Sequence, residues 1–241
     1  MAKFISSLIT EASGSVAGTT YSRNKNGSYI RNKSVPVNRN TLAQQAARAR
    51  FSVVSSDWKT LSASEKESWE ANIVNYPYVD SLGQTKYYTA SQLFKSLNNS
   101  LFQLGMDKIN FCVGPVSLPS ILSPEVVVSQ GAGIELSSIT FSAGSGTEVP
   151  TGFNLAIYAT TIKSTGFSSP KNSDYRFINL QLAGADVVNL DLSSAYTSVF
   201  GNSWQDVANQ GNKIYFGLKL VSNITGQRNN AYTVAETFIE I

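Results

Sequence analysis

Histidine is absent from all 241 residues, and cysteine occurs once, at Cys112. Without histidine there is no imidazole base, no Ser-His or Cys-His nucleophile pair and no imidazole metal ligand. One cysteine cannot build a thiolate zinc site or a disulfide within the chain. Charge is sparse as well. Asp, Glu, Lys and Arg make up 15% of the residues, against roughly 25% in ordinary soluble domains. Ser, Thr, Asn and Gln take their place, a composition common on secreted β-proteins and on assembled particles. No apolar run approaches the roughly 20 residues of a membrane span. The opening MAKFISSLITEASG runs into Glu11 and Gly-Ser without the apolar core of a signal peptide. A lone cysteine fits assembly in a reducing cytoplasm. These absences point away from enzymes, cofactor carriers and metal proteins, toward a structural or binding protein.

The charges that are present are unevenly placed. Residues 1–59 hold nine basic side chains (Lys3, Arg23, Lys25, Arg31, Lys33, Arg39, Arg48, Arg50 and Lys59) against only Glu11 and Asp57. The rest of the chain is net acidic. A basic arm on an acidic body suggests docking onto an acidic surface, nucleic acid or protein.

Residues 18–34, GTTYSRNKNGSYIRNKS, read as a β-hairpin. Asn26-Gly27 is the preferred pair for a two-residue type I′ turn, because both central residues need positive φ. Pairing outward from that turn sets Lys25 against Ser28, Arg23 against Ile30 and Ser22 against Arg31. Tyr21, Arg23 and Ile30 then share one face; Tyr29, Arg31 and Lys33 share the other. Neither is a clean core face, and a two-stranded ribbon alone is marginal in water. The ribbon therefore needs a partner, within the chain or outside it.

An extended stretch through Pro36 leads to a helix over 41–56, capped by Asn40 or Thr41. Leu42, Ala46, Ala49 and Val53 make its apolar stripe. Ser62 and Glu65 are spaced as the capping box of a second helix, which carries Trp69 and Ile73 on one face. Tyr76-Pro77-Tyr78 ends it, and a loop over 78–88 around Gly83 follows. A third helix spans about 89–104, with Thr89 and Gln92 as capping box. Leu93, Leu97, Leu101 and Leu104 are its stripe, and Gly105 its stop. Phe51, Trp58, Trp69, Leu93 and Leu97 are the expected helical core.

Gly114-Pro115, Leu118-Pro119 and Ser123-Pro124 punctuate the boundary that follows. Beyond it the apolar period is two. Candidate strands are 134–141, 153–161, 174–182, 186–192, 213–221 and 231–241, with 125–129 as a seventh. Their number and spacing predict an antiparallel β-sandwich, and 193–209 is an insert that caps one end. The expected class is α+β. It comprises a hairpin and three-helix module over 1–105, a linker over 106–124 and a β-sandwich over 125–241.

The candidate chemistry is thin. Gly131-Ala132-Gly133 and Gly144-Ser145-Gly146 read as turns, since neither completes a dinucleotide-binding fingerprint. Paired carboxylates would suit glycoside hydrolysis, but Glu65, Glu67 and Glu70 read as solvated charges and Asp186 and Asp191 as turn holders. A carbohydrate-binding β-domain stays an alternative, beside a DNA-binding architectural protein that uses the basic N-terminal region. Phe51, Trp58-Lys59, Leu61-Ser62, Glu65-Lys66 and Trp69 resemble part of an HMG box, a minor-groove DNA bender. Here, however, the third helix has one lysine, not the long basic face of that family.

A second resemblance covers residues 14–105. It rests on the Gly-Ser-Val-Ala-Gly-Thr-Thr-Tyr-Ser-Arg start, the Gly-Ser-Tyr-Ile-Arg strand and Pro36-Val37-Asn38-Arg39-Asn40-Thr41. It continues through Arg48-Ala49-Arg50-Phe51, Trp58-Lys59-x-Leu61-Ser62, Trp69 and Gln92-Leu93-Phe94-x3-Asn98. This resembles the N-terminal module of virion structural proteins of tailed bacteriophages, notably Bacteroidetes phages of the crAss-like type. A Pro-x-Asn-Pro-x-Thr run is typical there; Arg39 and Asn40 depart from it. The resemblance implies a particle component without enzymatic activity or cofactor, assembled in the bacterial host cytoplasm. Its expected partners are capsid, portal or neck proteins and further copies of itself, with nucleic acid secondary and no membrane. The expected assembly contacts are Tyr21, Arg23, Lys25, Tyr29, Arg31, Lys33, Arg39, Arg48 and Arg50.

Overall fold

The computed structural model describes residues 2–3, 13–24, 27–34, 37–38, 40–79, 85–142, 147–229 and 233–240. The chain divides into two compact units, Met1–Ala46 and Ala47–Ile241. This boundary lies well before the proline-punctuated stretch over 106–124.

The first unit is a four-stranded sheet in the order β1-β4-β3-β2, made of β1 (Ala2–Lys3), β2 (Gly14–Val16), β3 (Thr19–Asn24) and β4 (Gly27–Asn32). All its pairings are antiparallel. The hairpin forms, but its register differs from the expected one by two residues. Asn24 pairs with Gly27, Arg23 with Ser28, Tyr21 with Ile30 and Thr20 with Arg31. Lys25 and Asn26, the pair between the strands, lie outside the described residues. Because the side-chain period of a strand is two, a two-residue slip keeps every side chain on its expected face. Tyr21, Arg23 and Ile30 still share a face, as do Tyr29 and Arg31.

Helix α1 (Leu42–Thr60) starts at the end of this unit. Thr41 is its cap: its hydroxyl accepts from the Gln44 N–H while the Gln44 side chain accepts from the Thr41 N–H, both at 3.3 Å. In the second unit α2 (Ala63–Asn72) and α3 (Ala90–Gln103) follow, each opened by the predicted capping box, at Ser62–Glu65 and Thr89–Gln92. The expected loop over 78–88 contains a short ribbon, β5 (Pro77–Val79) with β6 (Thr85–Tyr87); Gly83 lies outside the described residues.

The remaining strands are β7 (Ile121–Ser129), β8 (Gly133–Phe141), β9 (Phe153–Ala159), β10 (Arg176–Gln181), β11 (Leu190–Asp191), β12 (Lys213–Ser222) and β13 (Thr233–Glu240). Helix α4 (Ser193–Phe200) lies between β11 and β12. They form one large curled sheet in the order β10-β9-β12-β13-β7-β8-β11. One neighbouring pair, β13 with β7, is parallel, joined at Ile239↔Val128 and Glu240↔Ser129. The strand over 186–192 shrinks to Leu190–Asp191, because Asp186 and the residues after it form a turn instead.

Alternation explains the two cores. On β12, Ile214, Phe216, Leu218 and Leu220 point into the curl with Ile134, Leu136, Leu155, Ile157 and Ile239. Tyr196 of α4 and Trp204 close one end of that core. Tyr215 and Val221 point the other way, with Ala156 and Tyr158 of β9, onto Leu101 and Leu104 of α3. A strand covered on both faces reads as a continuous apolar run, which β12 does. Gly133 is required where β8 begins: a Cβ there would stand 2.6 Å from Ser193 Oγ, which accepts from the Ile134 N–H.

Candidate functional site

The basic sheet carries Tyr21, Arg23, Tyr29 and Arg31 of the predicted assembly residues, with Lys33 just past the end of β4. Arg23, Arg31 and Lys33 are exposed, while Tyr21 and Tyr29 are half-buried. Thr20 opposite Arg31 keeps its hydroxyl 2.8 Å from that of Ser15. Lys25 and Arg39 lie outside the described residues. The ribbon finds partners within the chain: β1 pairs with Tyr29 and Ile30, and β2 with Thr19, Thr20 and Tyr21. The hairpin strands are thus the inner pair of this sheet, and its edges are β1 and β2.

The helical candidates separate into two groups. Trp69 is fully buried, donates its indole N–H to the Asn110 carbonyl at 2.6 Å and meets the Phe94 ring edge-on at 5.2 Å. Trp58 packs on the same ring at 5.4 Å, with Leu93 buried and Leu97 half-buried beside it. Phe51 does not join them. It is 56% exposed, with the Lys95 ammonium 5.9 Å from its ring centre. The expected α1 stripe is exposed too, with Leu42 at 84% and Val53 at 43%. The inner face of α1 is set by Val54, followed by Trp58 and Leu61. Val53 is one residue, about 100° of helix, away from it. Arg48 is exposed and Arg50 half-buried, with its Nε enclosed and lacking a hydrogen-bond partner.

The expected linker is tied down by side chains. Asn98 accepts from the Ile109 N–H at 2.7 Å and donates to the Ile109 and Phe94 carbonyls, both at 3.2 Å. Ser68 Oγ accepts from the Cys112 N–H at 3.1 Å, Asn72 donates to the Cys112 carbonyl at 3.3 Å, and Tyr76 to that of Val113 at 2.8 Å. Ile109, Asn110, Cys112 and Val113 thus each have a backbone group met by a side chain of α2, of α3 or of Tyr76. Cys112 is buried, and that burial pushes its thiol up to about 11. Reactive thiols are lowered, not raised.

A groove of about 850 Å³ opens nearby. It is walled by Tyr76, Pro77, Tyr78 and Val79 on one side and Gly226, Gln227 and Arg228 on another, over Leu93, Leu97 and Leu118. Tyr78 stacks on Tyr88 at 4.4 Å. Sequence reasoning passed over these residues, treating Tyr76-Pro77-Tyr78 as a helix stop. Their signal was two tyrosines flanking a proline, with a further pair at Tyr87-Tyr88.

The carboxylates do structural work. Glu65 accepts from the Ser62 N–H and hydroxyl, which holds its carboxyl below the usual range. Asp186 accepts from the Val188 N–H and Asp191 from the Ser193 N–H, so both hold turns as expected. Among the described residues, no three His, Cys, Asp or Glu side chains come close enough to hold a metal ion, and no helix is long and apolar enough to cross a membrane. No family model, curated protein or solved structure matches this chain.

Proposed function

We propose that the chain is a structural component of a tailed-bacteriophage particle: a head-associated, neck-ring or head-fibre protein that acts by multi-copy protein–protein assembly. The observation that carries this reading is the first unit. It is a separate small sheet that displays Arg23, Arg31 and Lys33, in a region of 46 residues whose only acid is Glu11. Such a sheet is an attachment element for an acidic surface on a capsid, portal or neck protein. The second unit is the body of the component, with its curled sheet sandwich-like around one core. The virion is then its location, and the host cytoplasm its site of assembly.

Charge reversal at Arg31 and Lys33 tests this. The doubly reversed protein should fold yet fail to enter particles, read as its absence from purified particles by mass spectrometry. Normal incorporation overturns the attachment role. The alternative is an architectural DNA-binding protein that uses the same basic region. It predicts duplex affinity that falls steeply with salt, and it cannot use Trp69 as a wedge, since that ring is enclosed.

A further inference from the structure

We propose that the groove between β5, α3 and the Gly226–Arg228 loop is a docking site for an extended acidic peptide segment of a partner protein, held as an added strand along β5. Four consecutive residues, Tyr76 to Val79, line the groove, whereas Thr85 is the one lining residue from β6. Among the described residues β5 pairs with β6 alone, which leaves it one edge to offer. A two-stranded ribbon of three residues per strand is marginal. An incoming strand would complete it, with main-chain hydrogen bonds giving affinity and pockets for alternate side chains giving specificity.

The chemistry of the lining suits a peptide. Three of its polar side chains are engaged within the protein. The Tyr76 hydroxyl donates to the Val113 carbonyl, Ser100 donates to Ser96 of its own helix, and Gln227 Oε1 accepts from the Val116 N–H at 2.7 Å. No acidic side chain lines the groove. The groove offers a strand edge, an apolar floor at Leu97 and Leu118, the rings of Tyr78 and Tyr88, and one exposed cation, Arg228. An aliphatic side chain suits the floor and a carboxylate suits Arg228.

The wall is preformed. Gly226 has φ +70° and lies so close to α3 that a Cβ there would stand 3.0 Å from the Leu97 carbonyl oxygen. The loop and the helix are therefore packed together before any ligand arrives, which lowers the ordering cost of binding.

The inference stands apart from the particle reading, because its residues all lie in the second unit. A random-peptide display library panned on the full chain, followed by fluorescence anisotropy with one selected synthetic peptide, tests it. Selected peptides should combine aliphatic residues with an acidic one. Arg228→Glu should weaken the synthetic peptide by about tenfold or more, while Arg31→Glu should leave it unchanged. Hydrogen exchange at Tyr78 and Val79 should slow when the peptide is bound. Peptides that bind the Arg228→Glu protein equally well, an absence of binders, or exchange at Tyr78 and Val79 unaltered by peptide would each overturn it. Preferential retention of hyaluronan oligosaccharides would overturn it too, by making the groove a glycan site.

Discussion

Helices α1 and α3 carry apolar stripes of the same kind, yet one is exposed and the other is buried. On α3, Leu93, Leu101 and Leu104 are enclosed, between the helical core on one side and Tyr158 and Tyr215 of the curled sheet on the other. On α1, Leu42 and Val53 face outward, and burial begins only at Val54. Periodicity says that a helix has an apolar face; it does not say what covers that face. The α3 stripe is covered because Leu101 and Leu104 pack on side chains of β9 and β12. Among the described residues, the first three turns of α1 bury no side chain.

Truncation at matched positions puts numbers on this contrast. Trp69→Ala should cost most, about 3–5 kcal/mol, read as a lower denaturation midpoint. A variant that keeps its stability but loses DNA affinity would revive the HMG-like reading. Leu101→Ala, on the covered stripe, should cost about 2–5 kcal/mol. Asn98→Ala leaves the part-buried Ile109 N–H and carbonyl without their partner and should cost about 1–3 kcal/mol, with faster hydrogen exchange at Ile109.

A smaller effect is expected in alkali. The Cys112 thiol is pushed up to about 11 from an ordinary 9.0, by burial. Tyr76 is pushed up to about 12 from 10.0, by burial and then by Cys112. Both favour the neutral form in the folded state. Their contribution is complete below the ordinary values and is lost as pH rises through the folded ones. The melting temperature should therefore decline from about pH 9 upward, and Cys112→Ala should flatten the first part of that decline. At the exposed end, Leu42→Ala should change stability by no more than about 0.5 kcal/mol. A larger loss in the isolated protein would mean that α1 is covered in solution.

Much of the fold was legible from local rules. Both capping boxes, the α3 stripe, the stop at Gly105 and most strands of the body stand where turn and period signals put them. The Asn26-Gly27 signal named the hairpin but misplaced its register by two, because the pairing is fixed by several strands and not by the turn alone. The parallel β13–β7 pair has no local signal, since it joins segments about a hundred residues apart. The same holds for the bonds from Ser68, Trp69, Asn72 and Tyr76 to residues 110–113. Asn98 too entered only as part of a resemblance and not as a tether, although it is a polar residue beside the leucines of an apolar stripe. Of the assembly candidates, sequence pattern found exposed cations, which is what charge clustering can report. It missed the tyrosine-lined groove, which exists only where β5, α3 and a loop from the far end of the chain meet.

The tethering of residues 109–113 has a consequence for how the protein is cut. A proline-punctuated segment outside helix and strand is where a protease would be expected to enter. A protease must draw several residues into its cleft in extended form, however, and here the peptide groups are already held by side chains from two helices. Cleavage there would have to wait for the helical layer to open. The segment that looks most like a hinge would then be among the last to be nicked.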